Sequence, residues 1–434
     1  MKSVTTMLSH YIACPDCDHL LEKIIIDEGK ISRCPRCGSV LHVSVPNSLQ
    51  KAVALSFAGL IIFIPAITMP IMTFTVKGLT GTGNVVDAML SVCEKGYYFV
   101  GLMVFLVSVF FPLLKLGLLF IVSVSILSRK VSGAVKYLFR LYHYLSEWGM
   151  VEIYMLGILV AIIKMFSMAS ITYNTGFFCF AALVVLTVWS SVVVDKNLFW
   201  DLIEKHQQNH EAEVPVEIKS LVSSETAREA SLINCHDCGK LSVNMSAAKD
   251  EIQRCRRCRT VLHSRKPGSM NRTWALVLTA GILYLPANIL PMMRVNFMGK
   301  PDDSTILDGI IYFFQSGEYL VGGIILTASV LVPLFKIIGI VLILLSVHFR
   351  WSSWMKHKTL LFRIIEFIGR WSFLDVFVIA LLGAMVRFGT LTTIEADPAV
   401  PFFTAVVVCT MFAALTFDPR IMWDRGVSHN RAEG

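Results

Sequence analysis

CPDCDHLLEKIIIDEGKISRCPRCGSVLH (14–42) recurs as CHDCGKLSVNMSAAKDEIQRCRRCRTVLH (235–263), so the same pattern of four cysteines stands twice in this chain of 434 residues. Each copy has the spacing C-x2-C-x16-C-x2-C. Two CxxC pairs at such a separation are typical of a zinc ribbon in which four thiolates surround the metal. A segment this short cannot build its own hydrophobic core, so the metal would supply much of its folding free energy.

The predicted metal ligands are eight cysteines, four in each copy: Cys14, Cys17, Cys34 and Cys37, then Cys235, Cys238, Cys255 and Cys258. We expect two structural zinc ions. Iron in a rubredoxin-like site and a redox-active CxxC pair are alternatives that the same thiolates allow. Four thiolates fill a tetrahedral zinc and leave no position for a catalytic water, which indicates a structural or docking module. His42 and His263 are interpreted as packing or surface residues.

The repeat extends beyond the cysteines, because the rest of the chain also matches itself at a shift of 221 and later 223 residues. The paired positions include Pro65 with Pro286, Pro70 with Pro291, Lys115 with Lys336, Trp148 with Trp371 and Glu152 with Asp375. So many residues in one register indicate a duplicated unit rather than chance.

The composition indicates a membrane protein. Hydrophobic residues make up 55% of the chain and charged residues 16%, with a mean hydropathy of +0.64, whereas soluble domains average about 25% charged residues. Segments of about 20 apolar residues can cross a bilayer. Eight spans are predicted near 52–74, 99–127, 148–168, 175–195, 273–293, 320–347, 371–390 and 398–417. The N-terminus has no apolar signal-peptide core.

The basic residues predict the orientation. Lys and Arg concentrate in the loops 128–147 and 348–370, and short basic loops remain in the cytoplasm. Both termini and both cysteine segments are then cytoplasmic, and the formal net charge of +8 reflects these loops rather than a nucleic-acid partner. Because each half has an even number of spans, the repeat is predicted to be parallel, with a pseudo-twofold axis along the membrane normal.

The predicted fold is an α-helical integral membrane protein with two four-helix units. Its parts are ribbon 1 (1–50), membrane unit 1 (51–200), a linker (201–230), ribbon 2 (231–271), membrane unit 2 (272–425) and a C-terminal tail (426–434). The segment 131–147 mixes aromatic and basic residues. It is interpreted either as a helix on the inner membrane surface or as an ordinary connecting helix.

Each half retains three charged residues within its predicted spans: Lys115, Glu152 and Lys164, then Lys336, Asp375 and Arg387. A charge at the centre of a span costs about 2.5–3.5 kcal/mol, so such residues usually face the bundle interior. One interpretation is a structural ion pair with one snorkelling base per half. The other is a titratable network that lines a cavity and couples protonation to movement. Prolines at 64–70 and 285–291 are predicted to break the first span of each half.

Three further segments, YLPANILPMM (284–293), GRWSFLDVFVIALLGAMVR (369–387) and LTFDPRIMWDR (415–425), resemble the paraquat-inducible protein A family. The resemblance implies a Gram-negative inner-membrane protein with tetraspanin-type four-helix units. It implies a periplasmic partner with mammalian-cell-entry (MCE) domains that forms a tunnel, and phospholipid movement between the inner and outer membranes. It also implies proton coupling at the positions Glu152, Lys164, Asp375 and Arg387.

We therefore expect a lipid transport subunit. The chain contains no GxxxxGK[ST] motif, so no nucleotide is expected. No arrangement of catalytic side chains stands out, which predicts that the protein is not an enzyme. A non-transporting anchor for the tunnel is an alternative that needs the ribbons but not the buried charges. A membrane redox protein is the third hypothesis, and it requires bound iron.

Overall fold

The structure is a computed structural model of the chain. It describes residue 8 and residues 11–23, 27–76, 79–94, 96–146, 148–149, 151–165, 170–206, 225–244, 252–297, 300–351, 353–374, 376–378, 392–396 and 398–424.

Ribbon 1 consists of two short antiparallel hairpins, each with a CxxC turn between its two strands. The strands are β1 (Tyr11–Ala13), β2 (Leu20–Glu22), β3 (Ile31–Arg33) and β4 (Val40–Val43). Backbone amides close the turns, with Cys14 N bonded to His19 O at 3.0 Å and Cys34 N bonded to Ser39 O at 2.7 Å. Both CxxC turns are therefore held by hydrogen bonds of the ribbon itself.

Membrane unit 1 follows as a helical bundle with a small sheet at one end. Its helices are α1 (Ser48–Thr68), α2 (Val85–Glu94), α3 (Tyr98–Leu127), α4 (Val135–Leu145), α5 (Val151–Met165), α6 (Thr175–Val193) and α7 (Lys196–His206). The strands β5 (Met72–Val76), β6 (Leu79–Gly83) and β7 (Ser170–Tyr173) form an antiparallel sheet in the order β6-β5-β7.

The second half repeats this order of elements. Ribbon 2 contains the hairpin β8 (Leu232–Asn234) and β9 (Leu241–Val243). Membrane unit 2 contains α8 (Ser269–Ile289), β10 (Met293–Phe297), β11 (Lys300–Ser304), α9 (Ile306–Gln315), α10 (319–348), α11 (Met355–Gly369), a 3-10 turn (Arg370–Phe373), β12 (Thr392–Ala396) and α12 (Ala399–Thr416). The sheet order β11-β10-β12 matches that of unit 1. Neither sheet was predicted from the sequence.

Within the described residues, five helices are long and apolar enough to cross a membrane: α1, α3, α6, α12 and the part of α10 at Gly322–His348. Large apolar side chains lie on their outer surfaces, such as Ile64 at 67% exposure and Val192 at 67%, and lipid would cover them. Of the other three predicted spans, 148–168 contains the shorter α5, and 273–293 overlaps α8. The span 371–390 lies mostly outside the described residues.

The first span of each half is interrupted at the second proline of each pair and not at the first. Helix α1 continues through Pro65 and ends at Thr68, and α8 continues through Pro286. A proline inside a helix removes one backbone hydrogen bond, and both helices continue without that bond. The breaks come instead at the second prolines: Met69, directly before Pro70, is extended at φ −79° and ψ 148°, as residues before proline prefer.

The second span of each unit contains a π-helical turn that the sequence did not predict. Leu106–Phe110 lies within α3 and Leu326–Leu331 within α10. Each turn stands just before a proline, Pro112 or Pro333. The proline ring would clash with the carbonyl four residues earlier, and the wider π turn relieves this contact. Such turns are frequently found at functional sites.

The two membrane units pack directly against each other through aromatic side chains. The rings of Tyr154 and Phe377 lie 5.2 Å apart, and those of Trp148 and Phe412 lie 5.1 Å apart. Tyr154 and Phe377 are equivalent positions at the shift of 223 residues. Contact between equivalent residues is what two similar units give when they face each other across an axis. Trp148, Tyr154 and Phe377 belong to a core that both units share.

Candidate functional site

The first cysteine cluster brings together all four predicted ligands of ribbon 1. The Sγ atoms of Cys14 and Cys37 lie 3.5 Å apart and those of Cys17 and Cys34 lie 3.6 Å apart. All four atoms lie within 4.8 Å of one another, and the four residues are buried. Thiolates about 2.3 Å from a tetrahedral metal would stand about 3.8 Å apart. The cluster therefore fits a metal ion.

The second cluster has the same geometry in ribbon 2. Cys235 and Cys258 are 3.4 Å apart at their Sγ atoms, and Cys238 and Cys255 are 3.6 Å apart. The four Sγ atoms also lie within 4.8 Å of one another. The chain thus has two groups of four cysteines that could each hold a metal. Zinc and iron both accept four thiolates, so the geometry does not fix which metal it is.

The predicted non-ligand histidines lie outside the clusters. His42 Nε2 is 3.2 Å from Asp195 Oδ2 at the end of α6, and His263 is exposed. Asp195 N is also bonded to Ser48 Oγ at 3.0 Å, which joins the end of α6 to the start of α1. In the other half Asp418 N is bonded to Ser269 Oγ at 3.0 Å.

Ribbon 1 docks its cysteine turns on membrane unit 2 rather than on its own unit. Arg363 on α11 bonds to Asp16 Oδ2 at 2.7 Å, and it donates to Cys37 O at 3.3 Å and Cys37 Sγ at 3.4 Å. The Arg36 guanidinium lies 4.8 Å from the ring centre of Trp423. The cysteines of ribbon 1 share a core with residues of unit 2, including Phe362, Ile365 and Phe417.

Ribbon 2 correspondingly docks its cysteine turns on membrane unit 1. Arg140 on α4 lies 3.7 Å from Asp237 and donates to Thr260 Oγ1 at 3.2 Å. Arg257 contacts Glu204 on α7 at 2.9 Å. The cysteines of ribbon 2 share a core with Phe139, Phe199 and Trp200. Arg140 and Asp237 are the positions equivalent to Arg363 and Asp16, so one docking contact occurs twice, each time between halves.

The remaining contacts of the ribbons are of two kinds. Each ribbon also contacts the segment that follows the fourth predicted span of its own unit. Arg265 Nε bonds to Asp424 at 2.7 Å, and Lys23 Nζ lies 3.6 Å from the exposed Asp201 on α7. The ribbons also touch each other, with Asn234 Nδ2 donating to Ala13 O at 3.0 Å. Crossed docking was not predicted, because no sequence signal distinguishes the two possible pairings.

Two of the six predicted intramembrane charges are buried lysines on the second spans. Lys115 is 4% exposed and Lys336 is 0% exposed. Lys336 Nζ donates to Gly369 O at 3.3 Å and to Ser372 Oγ at 3.4 Å. A Cβ at Gly149 would lie 3.6 Å from Lys115 Cδ. Both lysines therefore lie against the chain that leads into the third predicted span.

The other four predicted charges are only partly described. Glu152 is half-buried in the first turn of α5. Lys164 lies on the same helix, but its side chain is outside the described part, and Asp375 and Arg387 are outside it altogether. The pairing of Lys336 with Asp375 thus stays a prediction. About 40 residues separate each basic residue from its acidic partner in the sequence. This separation does not by itself place the two side chains next to each other.

A cleft of about 1470 Å³ lies between the ribbons and the membrane units. Its lining includes Arg140, Asp237 and His143, together with Phe412 and Leu415 of α12. Burial lowers the pKa of His143 to about 4, and the nearby Lys196 acts in the same direction. The imidazole is therefore neutral at physiological pH.

Apolar helices long enough to cross a membrane, a repeated arrangement of elements and two four-cysteine clusters that could hold metal ions indicate a helical membrane protein. A family model described as paraquat-inducible protein A matches residues 49–204 and 270–426. The chain belongs to the paraquat-inducible protein A family, as its sequence motifs indicated.

Curated relatives match over nearly the whole chain. Intermembrane transport protein PqiA of Escherichia coli (strain K12) is 32% identical over 418 residues, which is 96% of each chain. Lipophilic envelope-spanning tunnel protein A of the same strain is 30% identical over 97% of this chain and 92% of its own length. A probable intermembrane transport protein of Haemophilus influenzae is 25% identical over 95% of each chain. No solved structure shows a significant match.

Proposed function

We propose that this chain is an inner-membrane subunit that moves lipids between the inner and outer membranes. It would load lipid into, or receive it from, a periplasmic tunnel made by an MCE-domain partner. The supporting observation is that at least 95% of the chain aligns with relatives named for intermembrane transport or for a lipophilic envelope-spanning tunnel. None of those names describes an enzyme, which fits the prediction of a transport protein.

The proposed topology has eight spans in two parallel units, with both ribbons and both termini in the cytoplasm. It is supported by the basic loops and by the five apolar helices. The matched Ser48–Asp195 and Ser269–Asp418 contacts also bring the start of the first span and the end of the fourth to one side. We propose that each ribbon holds zinc, since a closed set of four thiolates on two CxxC turns is typical of a structural zinc site, and a reducing cytoplasm disfavours disulfides between these cysteines.

The proposed energy source is the proton gradient. Lys336 is fully enclosed by protein, and a buried ammonium needs compensating groups. Asp375 in the third predicted span of the same unit is the candidate for Lys336, and Glu152 is the candidate for the equivalent Lys115. One charge moved across 100 mV gives about 2.3 kcal/mol, which could drive a conformational change without nucleotide.

The experiment is lipid transfer from vesicles that hold the chain with its MCE partner. A fluorescent phospholipid is followed into acceptor vesicles with and without a proton gradient. We expect the gradient to stimulate wild type, and Glu152→Gln or Asp375→Asn to abolish that stimulation. The exposed Glu318 provides a matched control, Glu318→Gln, that should behave as wild type. Equal transfer in every sample would discard proton coupling, and no transfer with an intact complex would favour the anchor alternative.

A further inference from the structure

Helix α11 is attached to ribbon 1 at its middle. The Arg363 guanidinium bonds to the Asp16 carboxylate at 2.7 Å, and it donates to the carbonyl and the Sγ atom of Cys37. Asp16 lies inside the first CxxC turn and Cys37 ends the second. Arg363 therefore touches both cysteine turns, whose relative position depends on the metal that joins them. Arg363 is 29% exposed and Asp16 is 21% exposed, so this contact is partly shielded from water.

The C-terminal end of the same helix touches Lys336. The Gly369 carbonyl is the last of α11 and accepts from Lys336 Nζ at 3.3 Å. Carbonyls at the end of a helix lack intrahelical donors and carry partial negative charge. A buried ammonium at this point is therefore stabilised by the helix end, and its position depends on where the helix ends. Ser372 Oγ, 3.4 Å from Nζ, adds a second acceptor.

Helix α11 packs closely against α10, the helix that carries Lys336. A Cβ at Gly339 on α10 would lie 2.6 Å from Ile365 Cδ1 on α11. Ile365 is 0% exposed, and it lies between Arg363 and Gly369 in sequence. Interiors packed this closely transmit displacements rather than absorb them.

We infer that ribbon 1, through Arg363 and α11, positions the buried Lys336 ammonium of the opposite membrane unit. Arg363 and Asp16 are thus positioning residues. Metal binding by ribbon 1 then affects the interior of unit 2 and not that of unit 1. The inference uses from the proposed function only that ribbon 1 binds a metal. It concerns the position of Lys336 and holds whether or not the chain moves lipid.

The other half of the molecule supplies a matched control. Ribbon 2 bonds to Arg140 on α4 in the equivalent way, and α4 leads to Gly149 beside Lys115. If the coupling follows the crossed contacts, breaking the Arg140 contact will disturb unit 1 and leave the surroundings of Lys336 unchanged. A general loosening of the ribbons would instead disturb unit 1 and the surroundings of Lys336 alike.

The test is the labelling rate of a cysteine placed beside Lys336 in the full-length protein. Ser372 is 1% exposed, and Ser372→Cys is nearly isosteric. A membrane-permeant maleimide labels the protein in detergent, and mass spectrometry measures the modification of the Ser372→Cys peptide alone. We expect Arg363→Gln and, independently, Asp16→Asn to raise this rate at least fivefold. Arg363→Lys, which retains the charge, should restore it to within twofold of the parent.

Arg140→Gln should leave the rate within twofold of the parent, and removal of the metal by a chelator should raise it as Arg363→Gln does. Metal content and melting temperature of each variant identify any general unfolding, and the two independent substitutions keep the test decisive if one of them fails to fold. An unchanged rate in both Arg363→Gln and Asp16→Asn, or an equal rise in Arg140→Gln, would overturn the inference.

Discussion

At the residue scale, buried charges in this chain are stabilised by hydrogen bonds at helix ends. Asp418 is 1% exposed. It follows α12, accepts from Lys266 N at 3.0 Å and pairs with Arg420 at 2.9 Å. Burial alone would raise the pKa of Asp418, but Arg420 and the backbone donors lower it below its usual value. The carboxylate is thus a structural anion that joins the end of the last span to the segment leading into α8.

Replacing this carboxylate should destabilise the protein. Asp418→Asn removes the charge that Arg420 and Lys266 N face, at a cost of about 1–3 kcal/mol. Because the folded pKa is depressed, the contribution of Asp418 is complete above its unfolded pKa of about 3.9 and is lost as pH falls through the folded value. Thermal unfolding in detergent at pH 7 measures the effect. Asp27→Asn, at a side chain that is 79% exposed, should leave the melting temperature unchanged.

His143 gives a pH dependence of the same sign, but at higher pH. Its pKa of about 4 is below the value of about 6.5 expected in the unfolded chain. The unfolded state therefore binds the proton first, and stability falls as pH drops from about 6.5 towards 4, by up to about 2 kcal/mol at pH 5.

The variant His143→Gln should reduce this acid sensitivity, as measured by melting temperature between pH 7 and pH 5. The charged or titratable neighbours Lys196, Asp237 and His236 are the same in both proteins. Acid release of metal also occurs in both, so the difference isolates His143. The exposed His263 serves as control through His263→Gln. Identical pH profiles for wild type and His143→Gln would contradict the assignment.

At the scale of elements, close contact between the first and fourth spans depends on one glycine. A Cβ at Gly176, near the start of α6, would lie 2.4 Å from Pro70 O and 2.6 Å from Met69 O. Backbone atoms at the end of α1 cannot yield as a flexible side chain can. Gly176→Ala should therefore lower stability by about 1–3 kcal/mol.

Gly117 on α3 provides the comparison, because nothing lies within 4 Å of a Cβ there. Gly117→Ala should be neutral, or stabilising by up to about 1 kcal/mol from helix propensity. Melting temperatures of the two variants in one detergent are sufficient for the comparison. A Gly176→Ala protein as stable as Gly117→Ala would show that α1 and α6 separate more than the structure indicates.

The ribbons give a prediction about metal content. Wild type should contain two zinc ions per chain and no iron, and the purified protein should be colourless. Cys34→Ser removes one of four ligands from ribbon 1 and should reduce the content to one zinc, while Cys93→Ser, which is outside both clusters, should keep two. Elemental analysis with an absorption spectrum measures this, and coloured protein with bound iron would support the redox hypothesis.

The sequence predicted the elements whose signals are local. Four cysteines at fixed spacing specify a ribbon, and long apolar stretches such as α3 specify a span. It did not predict the short sheets, because the residues of a five-residue strand such as β5 are difficult to distinguish from the end of a neighbouring apolar helix. The sequence also did not show which of Pro65 and Pro70 ends the helix. Whether a helix continues past a proline depends on the packing around it, and here it continues until Pro70.

At the scale of the whole molecule, the candidate site could be predicted only in part. The metal ligands of each cluster come from one segment of about 25 residues, so their assembly was evident from the spacing. The contacts of Lys336 join residues 33 and 36 positions apart, and the crossing of the ribbons joins residues hundreds of positions apart. Asp16 and Arg363, for example, are 347 residues apart. A duplicated chain offers each ribbon two nearly equivalent units, and only the three-dimensional packing selects between them.

The crossed docking can be tested by exchanging charges. Asp16→Arg places two cations together at the ribbon 1 contact and should lower the melting temperature by a few degrees, since a half-exposed ion pair contributes about 1 kcal/mol or less. Adding Arg363→Asp restores an opposite-charge pair and should recover most of that loss. Adding Arg140→Asp instead should give no recovery, because Arg140 lies at the ribbon 2 contact. Metal content must remain at two ions per chain in each variant, so that the melting temperature reports docking. If Arg140→Asp rescues Asp16→Arg and Arg363→Asp does not, each ribbon docks on its own membrane unit, and the crossed arrangement is wrong.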